Sequence, residues 1–273
     1  MVAISKSRLT SKKGFTVVET MLVLAVTGAL VAGVLFGVGA SVNAQRYSDA
    51  ATSLKSFLQN QYNELSNTRN ERDDGTQTCD KASAQVSNAG TTGQKRGQSD
   101  CVIMGRYISI VDGTLTTVSV NGGETNVAVT DSTDTALFTQ RYVLGISPGT
   151  KQESSMEWGT TAASRTIISP TQVTDKTNAI GILLLRSPVS GTMYTFVTEG
   201  PHSIDDLSAA DLRGMVTTTA MKSRVICVES DGLAATSFLS VIIGENANGP
   251  TAIESSSNDL LKSNPLVPAD FAC

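Results

Sequence analysis

The feature that most constrains this chain of 273 residues is an uninterrupted apolar run, MLVLAVTGALVAGVLFGVGASV, between Met21 and Val42. The run contains no charged residue. A helix that rises about 1.5 Å per residue can cross a hydrocarbon core of roughly 30 Å over this length. The run therefore predicts a membrane-spanning helix near the N-terminus.

Charge is divided unevenly along the chain. The first fourteen residues hold Lys6, Arg8, Lys12 and Lys13 without any acid, which leaves 17 of the 21 cations against 25 acids for the rest. By the positive-inside rule, this asymmetry predicts a cytoplasmic N-terminus, with the remaining chain outside. The sequence pI near 5.1 argues against a nucleic-acid-binding protein. His202 is the single histidine, so we expect neither an enzyme nor a protein that carries a metal or cofactor.

An acid and a Gly-Phe junction stand just ahead of the apolar run. Glu19 lies two residues before it, and a charge at the bilayer centre costs on the order of 2.5 to 3.5 kcal/mol, so this carboxylate needs a partner. The string KKGFTVVE, from Lys12 and Lys13 through Gly14 and Phe15 to Glu19, resembles the type IV prepilin signature. That signature combines basic residues, Gly, Phe and a Glu four positions after the Phe.

This resemblance to the type IV pilin and type II secretion pseudopilin family covers about the first sixty residues. It implies that a prepilin peptidase/N-methyltransferase cuts the Gly14–Phe15 bond and methylates Phe15. The cut creates an α-amino group with an ordinary pKa near 8. In a filament, Glu19 of one subunit can neutralise that amine on its neighbour. Glu19 also argues against the tip-capping pseudopilin type, which lacks this acid.

The resemblance also implies partners and a location. The partners are other pilin or pseudopilin subunits, an inner-membrane assembly platform and the lipid bilayer, while DNA or another surface ligand is not identified. The chain is expected to be a single-pass protein of the cytoplasmic membrane before assembly, and part of a cell-surface or extracytoplasmic filament afterwards. Its organisation is expected to be a prepilin leader (1–14), a transmembrane assembly helix (15–42), an amphipathic helix half (43–72) and a β-rich head (73–273). The size of the head suggests a minor subunit.

Two other functions compete with this interpretation. Val42-Asn43-Ala44 supplies a small-residue signal peptidase site, so a secreted or membrane-anchored adhesive or binding domain, cut after Ala44, is the main alternative. A surface hydrolase is the second. The string GISPG around Ser147 matches a nucleophile elbow, and Asp175 and His202 follow in the appropriate order. Because Pro148 follows Ser147 and has no N–H for an oxyanion hole, the sequence favours a turn there instead.

The chain after Ala44 continues with helical periodicity. No Pro or Gly separates it from the apolar run, so one helix is predicted from Phe15 to about Arg72, with its second half packed on the head. The apolar stripe that would face the head comprises Tyr47, Ala50, Ala51, Leu54, Phe57, Leu58, Tyr62 and Leu65.

The polar stretch from Asp73 to Asp100 predicts an exposed loop. Cys79 and Cys101 bracket it, and four cysteines permit three pairings. We favour Cys79 with Cys101 and Cys227 with Cys273, with free buried thiols as the alternative. The acids of this stretch match no calcium-loop spacing, and its basic pair fits ordinary solvation better than an anion site. These residues are Asp73, Asp74, Asp80, Asp100, Lys95 and Arg96.

Strand patterns dominate the rest of the head. Alternation at Val118 and Val120 and at Val127 and Val129, around the Asn121-Gly122-Gly123 turn signal, predicts a hairpin. Strands are also expected at 180–185, 192–198, 224–228 and 238–243, and a short helix is expected within 203–221. Trp158 and Tyr142 fit either core or adhesive positions. The sequence thus predicts an α+β fold, a long N-terminal helix packed on a C-terminal antiparallel β-sheet head, an architecture that also resembles that of pilins.

Overall fold

The computed structural model describes residues 14–67, 75–95, 97–128, 133–169, 172–173, 177–199, 204–217, 221–229 and 238–257, together with Cys273. The protein has the predicted α+β fold, with a long N-terminal helix followed by antiparallel β-sheets. It divides into two compact units, Met1–Asn43 and Ala44–Cys273.

Helix α1 (Val17–Ser66) carries the predicted apolar stripe in its second half. Seven of the eight stripe residues are buried, and Phe57 is half-buried against the same core. The helix ends at Ser66, just after Leu65, the last residue of the stripe. The expected continuation to Arg72 is therefore wrong at Asn67, because no apolar side chain follows Leu65 to pack on the core, and residues 68–74 lie outside the described residues.

Twelve strands, two further helices and several short 3-10 segments make up the other regular structure of the described residues. The helices are α2 (Asp134–Ala136), which runs into a π-helical turn over Leu137–Arg141, and α3 (Ala209–Met215). The predicted short helix within 203–221 is thus confirmed as α3. The strands are β1 (Gln77–Asp80), β2 (Gln85–Asn88), β3 (Cys101–Val111), β4 (Thr114–Glu124), β5 (Tyr142–Ser155), β6 (Thr161–Ser169), β7 (Gln172–Val173), β8 (Ala179–Arg186), β9 (Met193–Glu199), β10 (Arg224–Glu229), β11 (Leu239–Ile243) and β12 (Ile253–Ser257).

The first large sheet has the strand order β5-β4-β3-β8-β9 and is covered on both faces. On β8, Ile182 and Leu184 pack in the cluster that contains the α1 stripe, whereas Leu183 and Leu185 pack in a second cluster with α3 and the π-helical turn. Burial on both faces explains why residues 180–185 form a continuous apolar run. The predicted strands at 180–185 and 192–198 correspond to β8 and β9.

The second large sheet has the strand order β12-β11-β10-β6-β7. Its inner face contributes Ile226, Val228 and Val241 to the cluster that buries the α1 stripe, so this part of the helix packs between side chains of both sheets. The predicted strands at 224–228 and 238–243 correspond to β10 and β11. The chain turns at Glu245 and Asn246, directly after β11.

The hairpin predicted around Asn121-Gly122-Gly123 is wrong. Strand β4 runs straight through these residues, and the actual hairpin turn lies at Asp112 and Gly113, between β3 and β4. A Cβ on Gly122 would collide with Met104 Sδ, and one on Gly123 would collide with the Lys81 carbonyl oxygen. These glycines therefore permit close packing, and they do not reverse the chain.

The stretch predicted as an exposed loop before Asp100 is partly wrong. Strands β1 and β2 pair as a short antiparallel hairpin within it. Cys79 on β1 is buried and is joined to Cys101 at the start of β3. The disulfide and the hydrogen bonds between β1 and β2 hold this stretch in a regular structure. Its polar sequence does not reveal that structure, because it lacks apolar alternation.

Candidate functional site

The Gly14–Phe15 bond lies in a segment without regular structure. Gly14, Phe15 and Thr16 are exposed and precede the first residue of helix α1. The Phe15 side chain is 77% exposed, and no atom crowds the position of a Cβ on Gly14. The bond is therefore accessible and is not held within a helix or strand. Lys12 and Lys13 lie outside the described residues.

Glu19 occupies the first turn of helix α1. Its backbone N–H donates to Thr16 Oγ1 at 3.3 Å, which is one half of the capping box that the spacing T-x-x-E allows. The carboxylate is exposed and has no hydrogen bond or ion pair within the described part of the chain. The N-terminal end of the helix dipole favours a negative charge here. Glu19 is thus held in a defined turn of the helix, with its charge free to meet a partner.

The apolar run presents its side chains outward in the first unit. Fifteen large hydrophobic side chains between Phe15 and Val42 are more than a third exposed. At about 1.5 to 3 kcal/mol for each side chain of this size, transferring them out of water is favourable by more than about 20 kcal/mol. Among the described residues, α1 is the one helix long and apolar enough to cross a membrane.

Two threonine hydroxyls in this part of helix α1 form hydrogen bonds within the helix. Thr20 Oγ1 donates to the Val17 carbonyl at 2.9 Å, and Thr27 Oγ1 donates to the Val23 carbonyl at 2.8 Å. Such internal bonds allow a hydroxyl to enter hydrocarbon, because no polar group is left without a partner. The Glu19 charge has no such local solution.

Both favoured disulfides are present. Cys79 and Cys101 are joined with their Cα atoms 6.1 Å apart, and Cys227 and Cys273 are joined with theirs 5.3 Å apart. The first bond ties β1 to β3. The second ties the buried central strand β10 to a residue 46 positions further along the chain. The pattern is typical of proteins that fold in an oxidising compartment.

Ser147 does not stand on a nucleophile elbow. Strand β5 continues through Ser147 and Pro148, and Ser147 pairs with Ser119 on β4. The turn predicted here is also wrong, because the chain forms a bulge within a strand. Pro148 lies in that register shift, where no ladder donor is required. Ser147 is buried, and its carbonyl accepts a bond from Thr150 Oγ1 at 2.8 Å.

Most of the other candidate residues of the hydrolase and the acidic loop cannot be placed. Asp175, His202, Asp73, Asp74 and Arg96 lie outside the described residues. Asp80 accepts from the Ser83 hydroxyl and the Ala82 N–H, and these bonds hold the pKa of its carboxyl below the ordinary value. Asp100 accepts from the Gln94 amide. Within the described ranges, no group of acids, cysteines or histidines has the geometry of a metal site.

Tyr142 and Trp158 have different environments. Tyr142 is buried in the second cluster, so it is a core residue. Trp158 is 51% exposed, and the Arg46 guanidinium lies 4.8 Å from the centre of its ring. No sequence pattern marks this pair in advance, because the two residues lie far apart along the chain and belong to different elements.

The sequence also did not predict a polar cluster around Asp134. Its carboxylate accepts from the Ser187 hydroxyl at 2.6 Å, the Ser190 hydroxyl at 2.7 Å and the Tyr194 hydroxyl at 2.8 Å. Burial raises the pKa of Asp134, but the three hydroxyl donors outweigh burial and hold this pKa below the ordinary value. Desolvation and the neighbouring carboxylate raise the pKa of Tyr194 to about 12. The cluster fastens the turn between β8 and β9.

Comparisons with protein-family models, curated proteins and solved structures found no match to this chain.

Proposed function

We propose that this protein is a structural subunit, a minor pilin or pseudopilin, of a type IV pilus-like or type II secretion-like filament. A prepilin peptidase/N-methyltransferase cuts it between Gly14 and Phe15. Helix α1 anchors the subunit in the cytoplasmic membrane before assembly and packs between subunits afterwards. Glu19 then pairs with the new N-terminal amine of a neighbouring subunit.

The observation that carries this proposal is the position of the Glu19 carboxylate and its lack of a partner among the described residues. A single carboxylate stands in the first turn of an exposed apolar helix, without a partner among the described residues, four positions after an accessible Gly14–Phe15 bond. In hydrocarbon, a cation must compensate this charge. Cleavage before Phe15 supplies one at the end of the same helix, and a neighbouring subunit can present it without distorting either chain.

The head supports the same proposal. Its two disulfides suit an extracytoplasmic environment. The second half of α1 is buried against both sheets, so this part of the helix belongs to the core of the head.

The first experiment determines the N-terminus of the protein isolated from its native membrane and from sheared surface fractions. Intact mass and N-terminal sequencing should give a methylated Phe15. Gly14→Leu should accumulate as the uncut precursor, whereas Gly28→Ala should be processed normally because that glycine lies in open space within the helix. An N-terminus that remains at Met1 would overturn the proposed processing.

A second experiment separates the charge of Glu19 from its place in the helix turn. Glu19→Gln keeps a side chain of similar size and removes the charge, whereas Thr16→Val removes the capping hydroxyl and keeps the charge. The lost cap costs about 1 kcal/mol of helix stability. We expect Glu19→Gln to abolish filament incorporation and Thr16→Val to preserve it. Equal incorporation of the two variants would contradict a pairing role for the charge.

A secreted or membrane-anchored binding domain is the second candidate function. The boundary between the two compact units falls at Asn43 and Ala44, where the small-residue signal peptidase site also lies. A cut after Ala44 would leave Tyr47 and the rest of the buried stripe attached to the head. An N-terminus at Gln45 in the mature protein would favour this candidate over the filament subunit.

A further inference from the structure

We propose that one end of the second unit is a membrane-contact surface that rests in the lipid headgroup layer before assembly. This basal surface consists of Trp158, Arg46 and Phe238. This contact depends on the membrane anchoring in the proposed function, and it does not depend on filament formation. Its partner is the boundary between lipid headgroups and acyl chains.

Trp158 is held outward by an unusual backbone. It has φ of 59°, and Gly159 follows with φ of 67°. A bulky residue in the left-handed region costs on the order of 1 kcal/mol or more, and such strain clusters at functional positions. Trp158 is nevertheless 51% exposed, and the contact described for its ring is the Arg46 guanidinium. Trp158 is also the single tryptophan of the chain.

Chain connectivity keeps the basal surface near the bilayer. Arg46 follows Val42, the last residue of the apolar run, by four positions, so the two Cα atoms cannot be more than about 14 Å apart in any conformation. The Arg46 guanidinium stacks on Trp158. The distance from Val42 to the indole is therefore limited in the same way, apart from the length of the Arg46 side chain. The headgroup layer is about 5 to 8 Å thick on each side of the core. Arg46 can therefore lie within that layer when Val42 marks the edge of the hydrocarbon core, and the indole lies 4.8 Å from its guanidinium.

Phe238 adds a second exposed ring beside the same turn of helix α1. The neighbouring Leu239 N–H donates to the Tyr47 hydroxyl at 2.9 Å, and Tyr47 directly follows Arg46. Phe238 itself is 47% exposed. Amphipathic rings of the Trp type concentrate at membrane interfaces, where an apolar body and a polar edge are both accommodated.

The charges around the basal surface indicate which lipid property is recognised. Arg46 is accompanied by the exposed acids Asp49, Asp112 and Glu157, of which Asp112 lies in the turn packed against Thr160. This end of the protein is not a cationic patch, so attraction to anionic lipids contributes little. The contact is aromatic, and we expect it to form on zwitterionic bilayers and to persist in high salt.

The test uses the fluorescence of Trp158 in the full-length protein reconstituted at low density in phosphatidylcholine vesicles. The matched control is the double variant Trp158→Phe/Val189→Trp, which moves the single tryptophan to an exposed position in the turn between β8 and β9, the turn near the Ser66 end of α1. Quenching by lipids brominated near the headgroup is compared with quenching by acrylamide in the water. Flotation of the vesicles verifies that each protein is anchored.

We expect Trp158 to emit at shorter wavelength than the relocated tryptophan of the control, to lose intensity in shallow brominated lipid and to resist acrylamide, in low and high salt alike. Emission from Trp158 that matches the control would overturn this inference and leave the filament proposal intact. Protection from acrylamide without lipid quenching would also overturn it, because a protein neighbour would then cover the ring. Failure of the protein to float would overturn both this inference and the anchoring in the proposed function.

Discussion

The Tyr47 hydroxyl bridges two strands of the second sheet. Tyr47 is 2% exposed, and its hydroxyl donates to the Val228 carbonyl at 2.5 Å and accepts from the Leu239 N–H at 2.9 Å. Val228 and Leu239 are register partners on β10 and β11. In a regular antiparallel ladder, the Leu239 N–H would donate directly to the Val228 carbonyl. Here the Tyr47 hydroxyl lies between the two groups and bonds to both, which joins helix α1 to both strands. We predict that Tyr47→Phe destabilises the protein substantially.

The magnitude follows from the two groups that lose their partner. A net hydrogen bond contributes about 1 kcal/mol, and a buried polar group left unsatisfied costs about 1 to 3 kcal/mol. With a carbonyl and an N–H affected together, and some relaxation of the strands towards each other, we expect Tyr47→Phe to cost about 2 to 4 kcal/mol. For a chain of this size, that is a loss of about 1 M in the urea midpoint, with an unchanged slope.

Tyr62→Phe is the matched control. The Tyr62 hydroxyl meets Thr195 Oγ1, and this oxygen already donates its own proton to the Ala247 carbonyl at 2.7 Å. Removing the Tyr62 hydroxyl leaves that second bond in place, so the expected cost is about 1 kcal/mol. Urea unfolding of the full-length protein in detergent, followed by circular dichroism, measures both variants. A loss for Tyr47→Phe that does not exceed the loss for Tyr62→Phe would refute the bridging role.

Three further predictions concern the disulfides and the titrating groups. Replacing Cys227 and Cys273 together by Ser should lower the free energy of unfolding by about 4 kcal/mol, because the bond closes a loop of 46 residues, and thermal unfolding with and without reductant would measure this loss. Burial raises the pKa of Tyr62 to about 12 from 10.0, so the unfolded chain releases its proton first and stability should fall between about pH 10 and 12; Tyr62→Phe should make the pH dependence of the urea midpoint shallower, and an unchanged dependence would contradict this cause. Asp134→Asn should cost about 1 to 2 kcal/mol, because an amide cannot accept all three hydroxyl donors, and the wild-type advantage should disappear in acid as the pH falls through the lowered pKa of Asp134.

The sequence predicted those parts of the fold that local periodicity controls. The stripe from Tyr47 to Leu65 has the spacing of one helix face, and the structure buries that face. Strand β8 reads as a continuous apolar run because side chains on both of its faces are buried. In each case a repeating pattern is a direct consequence of which side meets the core.

The errors arose where a residue type has more than one physical use. Gly122 and Gly123 resemble a turn, but glycine also serves where Met104 and Lys81 approach the backbone too closely for a Cβ. Pro148 and Gly149 also resemble a turn, because Pro and Gly are common in turns. Pro is equally acceptable in a bulge within a strand, which is where Pro148 lies. Distinguishing these uses requires the neighbouring strand, which local sequence does not contain.

The candidate site could be predicted only where its residues are consecutive. Gly14, Phe15 and Glu19 form a short motif, so the sequence alone was enough to nominate them. The stacking of Arg46 on Trp158 depends on contacts between residues that are distant along the chain. The same holds for Asp134, whose three donors come from the region of β8 and β9. No local pattern selects such partners from a chain rich in Ser and Thr.

The order of the disulfides along the chain has a consequence for biogenesis. Each bond joins cysteines that are neighbours in sequence order, Cys79 to Cys101 and Cys227 to Cys273. A chain that enters an oxidising compartment progressively from its N-terminal side would expose the first two thiols together before either of the second two arrives. Oxidation in order of arrival then yields the native connectivity, and reshuffling by an isomerase is not needed. In such a chain, strand β10 is cross-linked only after Cys273, 46 positions beyond Cys227, has also entered the oxidising compartment.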